Sequence, residues 1–100
     1  MEYVMTDEEK TQGIDLRNKI RDLEAERQKY IEENIDSLNP SDPDYETKVK
    51  QGWDYVHQNY DTDLDNYRAQ LKDLISSIRT KTGWTGTMSV DWEQGVVRYG

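Results

Sequence analysis

The sequence has no cysteine and no phenylalanine, a single histidine, two prolines, and no apolar run approaching membrane-spanning length. Each absence closes something. Without cysteine there is no disulfide framework and no thiolate metal site, which fits a reducing compartment. His57 alone does not furnish an ordinary zinc or transition-metal site. Ser76 and Ser77 have no glycine elbow that would make a nucleophile of either. No phosphate-cradling glycine loop is present; Gly83 and Gly86 flank Trp84 and read as a helix stop and a turn. Met1-Glu2-Tyr3-Val4-Met5 lacks the core of a signal peptide. The expectation is a cytoplasmic protein (host cytoplasm or virion if viral) that is not an enzyme, needs no cofactor or metal, and does not enter a membrane.

Charge is plentiful. Charged residues make up 34% of the chain and hydrophobic ones only 33%, with a net charge of −8. One hundred residues of this composition form one small domain with little core of its own, and they complete it by association. The acidic balance argues against phosphate contacts with nucleic acid and suits a basic protein partner, or simply solubility. The charge is uneven. Residues 1–36 hold eleven acids against six bases and residues 37–66 seven against two, whereas residues 67–100 hold three against five. The last third is the only basic part.

The most regular stretch runs from Tyr45 to Ile78. Tyr45, Val49, Trp53, Val56, Tyr60, Leu64, Tyr67, Leu71, Leu74 and Ile78 recur at steps of three and four, a mean of about 3.67 residues. That is one face of a long, nearly straight helix, not a strict heptad seam for a left-handed coiled coil. The fold class expected is mainly α with a small β element. An antiparallel hairpin of two long helices, about 7–37 and 43–81, is followed by a β-hairpin over about 86–99. The whole is one domain, with residues 1–6 as an N-terminal arm, 7–82 as the helical hairpin and 83–100 as the β portion.

Local signals support these bounds. Thr6 and Glu9 form a capping box, with Asp7 and Glu8 at the positive end of the helix dipole. Ser37-Leu38-Asn39-Pro40-Ser41-Asp42-Pro43 ends the first helix, and Asp42-Pro43 reads as cap and first residue of the second. The poor helix formers Asn59–Asp63 mark a weak point, but the apolar stripe keeps phase across it, so one continuous helix is expected. Folding about Asn39-Pro40 brings residue i near residue 80 − i. Ile31 then meets Val49, Ile35 meets Tyr45, and Arg27 lies over Trp53 as a cation–π pair. In the β-hairpin, Trp92 opposite Val97, Val90 opposite Tyr99 and Asp91 opposite Arg98 keep the apolar set on one face, with a loop at 93–96 and Gly95 left-handed. That face, with Tyr3-Val4-Met5, is expected to cover Leu74, Ile75 and Ile78.

The candidate chemistry is thin. Asp61-Thr62-Asp63-Leu64-Asp65-Asn66 opens like a calcium loop. An EF-hand needs Gly sixth and Glu twelfth, where this chain has Asn66 and Lys72, so the bland reading of a solvated acidic face is preferred. The aromatics say more. Seven Tyr and three Trp with no Phe suit half-wet surfaces and interfaces better than a plain core. Trp84, Met88, Val90, Trp92, Val97, Tyr99 and Tyr55 are the expected protein-interface residues. The function expected is a non-enzymatic assembly or adaptor protein. It homo-oligomerises through its helices and docks on at least one other protein through the β-hairpin, as suits a viral or phage structural component. The alternative is an acidic nucleic-acid mimic presenting Glu32, Glu33, Asp61, Asp63 and Asp65 to a basic site. A site formed between subunits of a small enzyme is a third reading that no residue favours.

Overall fold

The computed structural model describes residues 1–100. In order, the chain forms β1 (Glu2–Val4), α1 (Asp7–Asn34), α2 (Tyr45–Val56), a π-helical turn (His57–Asp61), α3 (Thr62–Thr82), β2 (Met88–Asp91) and β3 (Val96–Tyr99). The α2, π and α3 stretches join into one 38-residue helix. The protein is mainly helical, with two helices followed by a small antiparallel β-hairpin. It divides into two compact units, residues 20–66 and residues 1–19 with 67–100.

In the unit of residues 20–66, α1 ends at Asn34, three residues earlier than its apolar pattern implies. Short polar side chains take over the backbone there. Asn34 donates to Tyr30 O and Ser37 to Glu33 O, while the Asp36 N–H reaches back to Ile31 O. Asp42 does not cap the next helix as its first residue. It accepts the Asp44 N–H at 2.8 Å and pairs with Lys48 at 2.7 Å, and α2 begins at Tyr45. The turns over 35–44 move the fold point about four residues later than Asn39-Pro40. Ile35 therefore packs on Gly52 rather than Tyr45, and Tyr30 on Tyr55. The core here is Ile31, Ile35 and Val56, flanked by Tyr30, Trp53 and Tyr60. Gly52 is what lets the helices close: a Cβ there would lie 2.6 Å from Ile35 Cγ1.

The weak point does not break the helix. The Thr62 N–H bonds His57 O, five residues back, so the stretch holds one wide π turn between two α segments. Thr62 Oγ1 also donates to His57 O, and Asn59 donates to Tyr55 O. The poor helix formers thus supply the side-chain hydrogen bonds that a widened turn needs.

In the unit of residues 1–19 and 67–100, a three-stranded antiparallel sheet of order β1-β3-β2 covers the helices. The N-terminal arm is a full strand, so β3 is central and the β-hairpin is not left alone. The core is Met5, Leu74, Ile78, Trp92 and Val97, with Tyr3, Ile14, Leu71, Ile75, Met88 and Val90 packed around it. The expected cover for Leu74, Ile75 and Ile78 is therefore present. Val4 points away from it and is 71% exposed.

The hairpin register differs from expectation by two residues. Val90 pairs with Val97, Met88 with Tyr99 and Asp91 with Val96. A slide of two keeps every side chain on its face, which is why the apolar pattern does not distinguish the two registers. The loop is Trp92–Gly95, closed by the Gly95 N–H on Asp91 O at 2.9 Å and the Gln94 N–H on Asp91 Oδ1 at 3.0 Å. Gly95 is left-handed (φ 70°), as its place in the turn requires. Arg98 does not pair with Asp91; it reaches Glu2 on β1 at 3.4 Å and Gln94 at 3.2 Å. The slide frees Trp92 from the ladder and drops its ring onto Gly13. A Cβ at Gly13 would sit 2.1 Å from that ring. The glycine that weakens the start of α1 by propensity is thus the seat of the largest core side chain.

Candidate protein-interaction surface

The residues expected at the interface divide into three groups. Trp92 and Val97 are 8% and 0% exposed and belong to the chain's own core, so neither is an exposed anchor. Val90 is half-buried against that core. Trp84, Met88 and Tyr99 remain half-exposed together at one end of the sheet. Met88 lies opposite Tyr99 across β2 and β3, and the Trp84 and Tyr99 rings are 6.0 Å apart.

This end is held from behind. Gly83 (φ 71°) terminates α3. Arg79 then donates to Trp84 O at 3.2 Å and Gly86 O at 2.7 Å, which fixes the 83–87 connection. The Trp84 indole N–H donates to Thr87 O at 3.1 Å, and its ring lies so near Gly86 that a Cβ there would be 2.9 Å away. A large aromatic is therefore held by hydrogen bonds beside β2, an edge strand with one row of backbone groups unpaired by the sheet.

Tyr55 is 43% exposed, but it is not idle. It stacks on Tyr30 at 4.3 Å with 16° between planes, and Tyr60 approaches both rings. Burial raises the Tyr60 hydroxyl above its ordinary pKa, with the neighbouring Tyr55, Glu26 and Tyr30 adding to it. The cluster shows one wet aromatic face on residues 20–66.

Among the acids, Asp61 is drawn inward. Arg27 Nε donates to its Oδ1 at 2.7 Å, and His57 Nδ1 lies 2.7 Å from its Oδ2. The Arg27 hydrogen bond holds this carboxyl below its ordinary value against partial burial, and His57 helps. Asp61 is thus committed to its own unit, while Glu32, Glu33, Asp63 and Asp65 are exposed. Arg27 also sits 6.0 Å from the Trp53 ring, the cation–π contact expected from the stripe. Its ion pair was not legible, because it depends on the later fold point. His57, the one imidazole, spends Nδ1 on Asp61 and rests 6.2 Å from the Trp53 ring.

Glu9 is the buried charged group of the chain. The capping box is present: Thr6 N–H donates to Glu9 Oε1 at 2.9 Å and Glu9 N–H to Thr6 Oγ1 at 3.1 Å. The same carboxylate also accepts the Tyr3 hydroxyl at 2.8 Å and Lys81 at 3.1 Å, and Glu9 is only 6% exposed. Burial pushes its pKa up, but the bonds from Thr6, Tyr3 and Lys81 outweigh it and leave the carboxyl below the ordinary range. Burial and the Glu9 bond raise the Tyr3 hydroxyl; the same carboxylate raises the Lys81 ammonium. These bonds tie β1, the start of α1 and the end of α3 together. The capping box marks Glu9, and the charge asymmetry places the acidic start of α1 near the basic end of the second helix, though by Arg68, Lys72 and Arg79 rather than Lys81; nothing marks Tyr3 as a partner.

No group of three His, Cys, Asp or Glu side chains converges as metal ligands, and no helix is long and apolar enough to cross a membrane. No protein-family model, no curated protein and no solved structure matches the chain.

Proposed function

We propose that the chain is a non-enzymatic protein-interaction or assembly protein, which self-associates through its helices and docks on another protein through the end of its sheet. The observation that carries this is the Trp84–Met88–Tyr99 cluster. Three large side chains stay half-exposed at an edge strand or beside it, after a connection whose Trp84 and Gly86 carbonyls Arg79 holds. Pre-ordered aromatics of this kind bind with little further loss of side-chain freedom. Tyr55 offers a second aromatic face on residues 20–66.

Light scattering after size exclusion, over a micromolar concentration series, tests the reading. The expected result is an apparent mass that rises with concentration. A stable monomer throughout contradicts self-association. For docking, Trp84→Ala is expected to weaken partner capture while leaving the thermal unfolding of the helices nearly unchanged.

A further inference from the structure

Two helix faces in the unit of residues 1–19 and 67–100 carry the same spacing with opposite charge. On α3, Lys72, Ile75, Ser76 and Arg79, with Arg68 and Leu71, form an open, shallowly grooved face of the helix. Leu71 and Ile75 are only half-buried by the core they flank. On α1, Glu8, Thr11, Gln12 and Asp15, with Asp7, line a shallow open depression. Each set runs i, i+3, i+4, i+7, which is one helix face. Its charged ends are seven residues apart, about 10.5 Å along the axis.

We infer that the α3 groove takes the first turns of α1 from a second copy of this chain. This rests on the self-association proposed above and names its surface. Spacing and charge together select the occupant. Of the acid pairs seven apart in the helices, Asp15–Asp22 brackets Lys19, and Glu26–Glu33 brackets Lys29. Asp54–Asp61 uses a carboxylate already committed to Arg27. Glu8–Asp15 brackets the uncharged Thr11 and Gln12, which can lie over Ile75 and Ser76.

An antiparallel seating sets Glu8 against Arg79 and Asp15 against Lys72. It also brings the positive start of α1 to the negative end of α3, the favourable sense for the helix dipoles. Arg79 spends Nη1 on Trp84 O and Gly86 O and keeps its charge and remaining donors. Asp15 pairs with Lys19 at 2.9 Å through Oδ2, which leaves Oδ1 to a partner. The contact joins two different patches, so it propagates from copy to copy unless symmetry closes it.

The test is a charge swap read by sedimentation velocity. Lys72→Glu alone and Asp15→Lys alone are each expected to weaken self-association about tenfold, as opposed charges become like ones. Mixing the two variants sets the reversed charges face to face and restores association. Added salt weakens the parent. Circular dichroism checks that both variants keep their helices, and recovery in the mixture shows that neither is misfolded. If the parent associates and both variants match it, or the mixture stays as weak as its components, the groove is overturned while self-association stands. A parent that stays monomeric overturns both.

Discussion

The two units solve the problem of a small core differently. Residues 20–66 have two helices and four buried aliphatics, Ile31, Ile35, Val56 and Leu64, and they finish the surface with stacked tyrosines and the Arg27–Asp61 pair. Residues 1–19 and 67–100 draw core side chains from β1, α1, α3, β3 and the loop before it, and they add a buried carboxylate with partners from several segments. Each unit contains one glycine inside a helix on which a large side chain rests. The difference between them is how far that side chain can move.

Gly13 and Gly52 break the comparison most directly. At Gly13 an added Cβ lies 2.1 Å from an indole wedged among Met5, Leu74 and Ile78; at Gly52 it lies 2.6 Å from an aliphatic branch of Ile35. Gly13→Ala is expected to destabilise by about 3 kcal/mol, since a rigid ring must leave its site. Gly52→Ala should cost about 1 kcal/mol or less, because Ile35 can change rotamer and alanine favours the helix by about 1 kcal/mol. Chemical denaturation of each variant measures both. Equal costs would show that the two packings are alike.

The carboxylates come next. Glu9→Gln is expected to cost about 2 kcal/mol, because Lys81 and Tyr3 lose a charged acceptor in a buried place. Asp61→Asn should cost about 1 kcal/mol, since its pair with Arg27 is partly solvated. Both carboxyls titrate below their ordinary values in the fold. Their stabilising effect is therefore complete above the ordinary carboxylate range and is lost as pH falls through the lowered values. Thermal unfolding followed from neutral pH downward should show the parent and Glu9→Gln converging in acid. A gap that stays constant with pH would exclude the charge as its source. Tyr55→Ala should have the smallest effect, under about 1 kcal/mol, as one face of its ring is already in water.

The same contrast explains what was legible in the sequence. The Tyr45–Ile78 stripe identified the second helix and its continuity, because periodicity reports which face is buried. Thr6 and Glu9 marked the start of α1, because a capping box is local. Registers were not legible. The helices pair about four residues later than the proline positions imply, because Asn34, Ser37 and Asp42 divert the backbone into turns. The β-hairpin slid by two, a move that preserves faces and so leaves no trace in an alternating pattern. Nothing in the sequence marks Gly13 or Gly52 as a packing site, since the side chains that rest on them come from elsewhere in the chain. For the surface, the aromatics point to Trp84 and Tyr99 but equally to Trp92, and the alternating apolar face points to Met88 but equally to Val97. Only the sheet register separates the exposed from the buried members of that set.

Sedimentation velocity of the full chain across a micromolar concentration series at low and high salt tests the proposed self-association most directly. The expected result is a weight-average sedimentation coefficient that rises with concentration and drops back when salt is added. A single monomeric boundary at every concentration and salt level would contradict it.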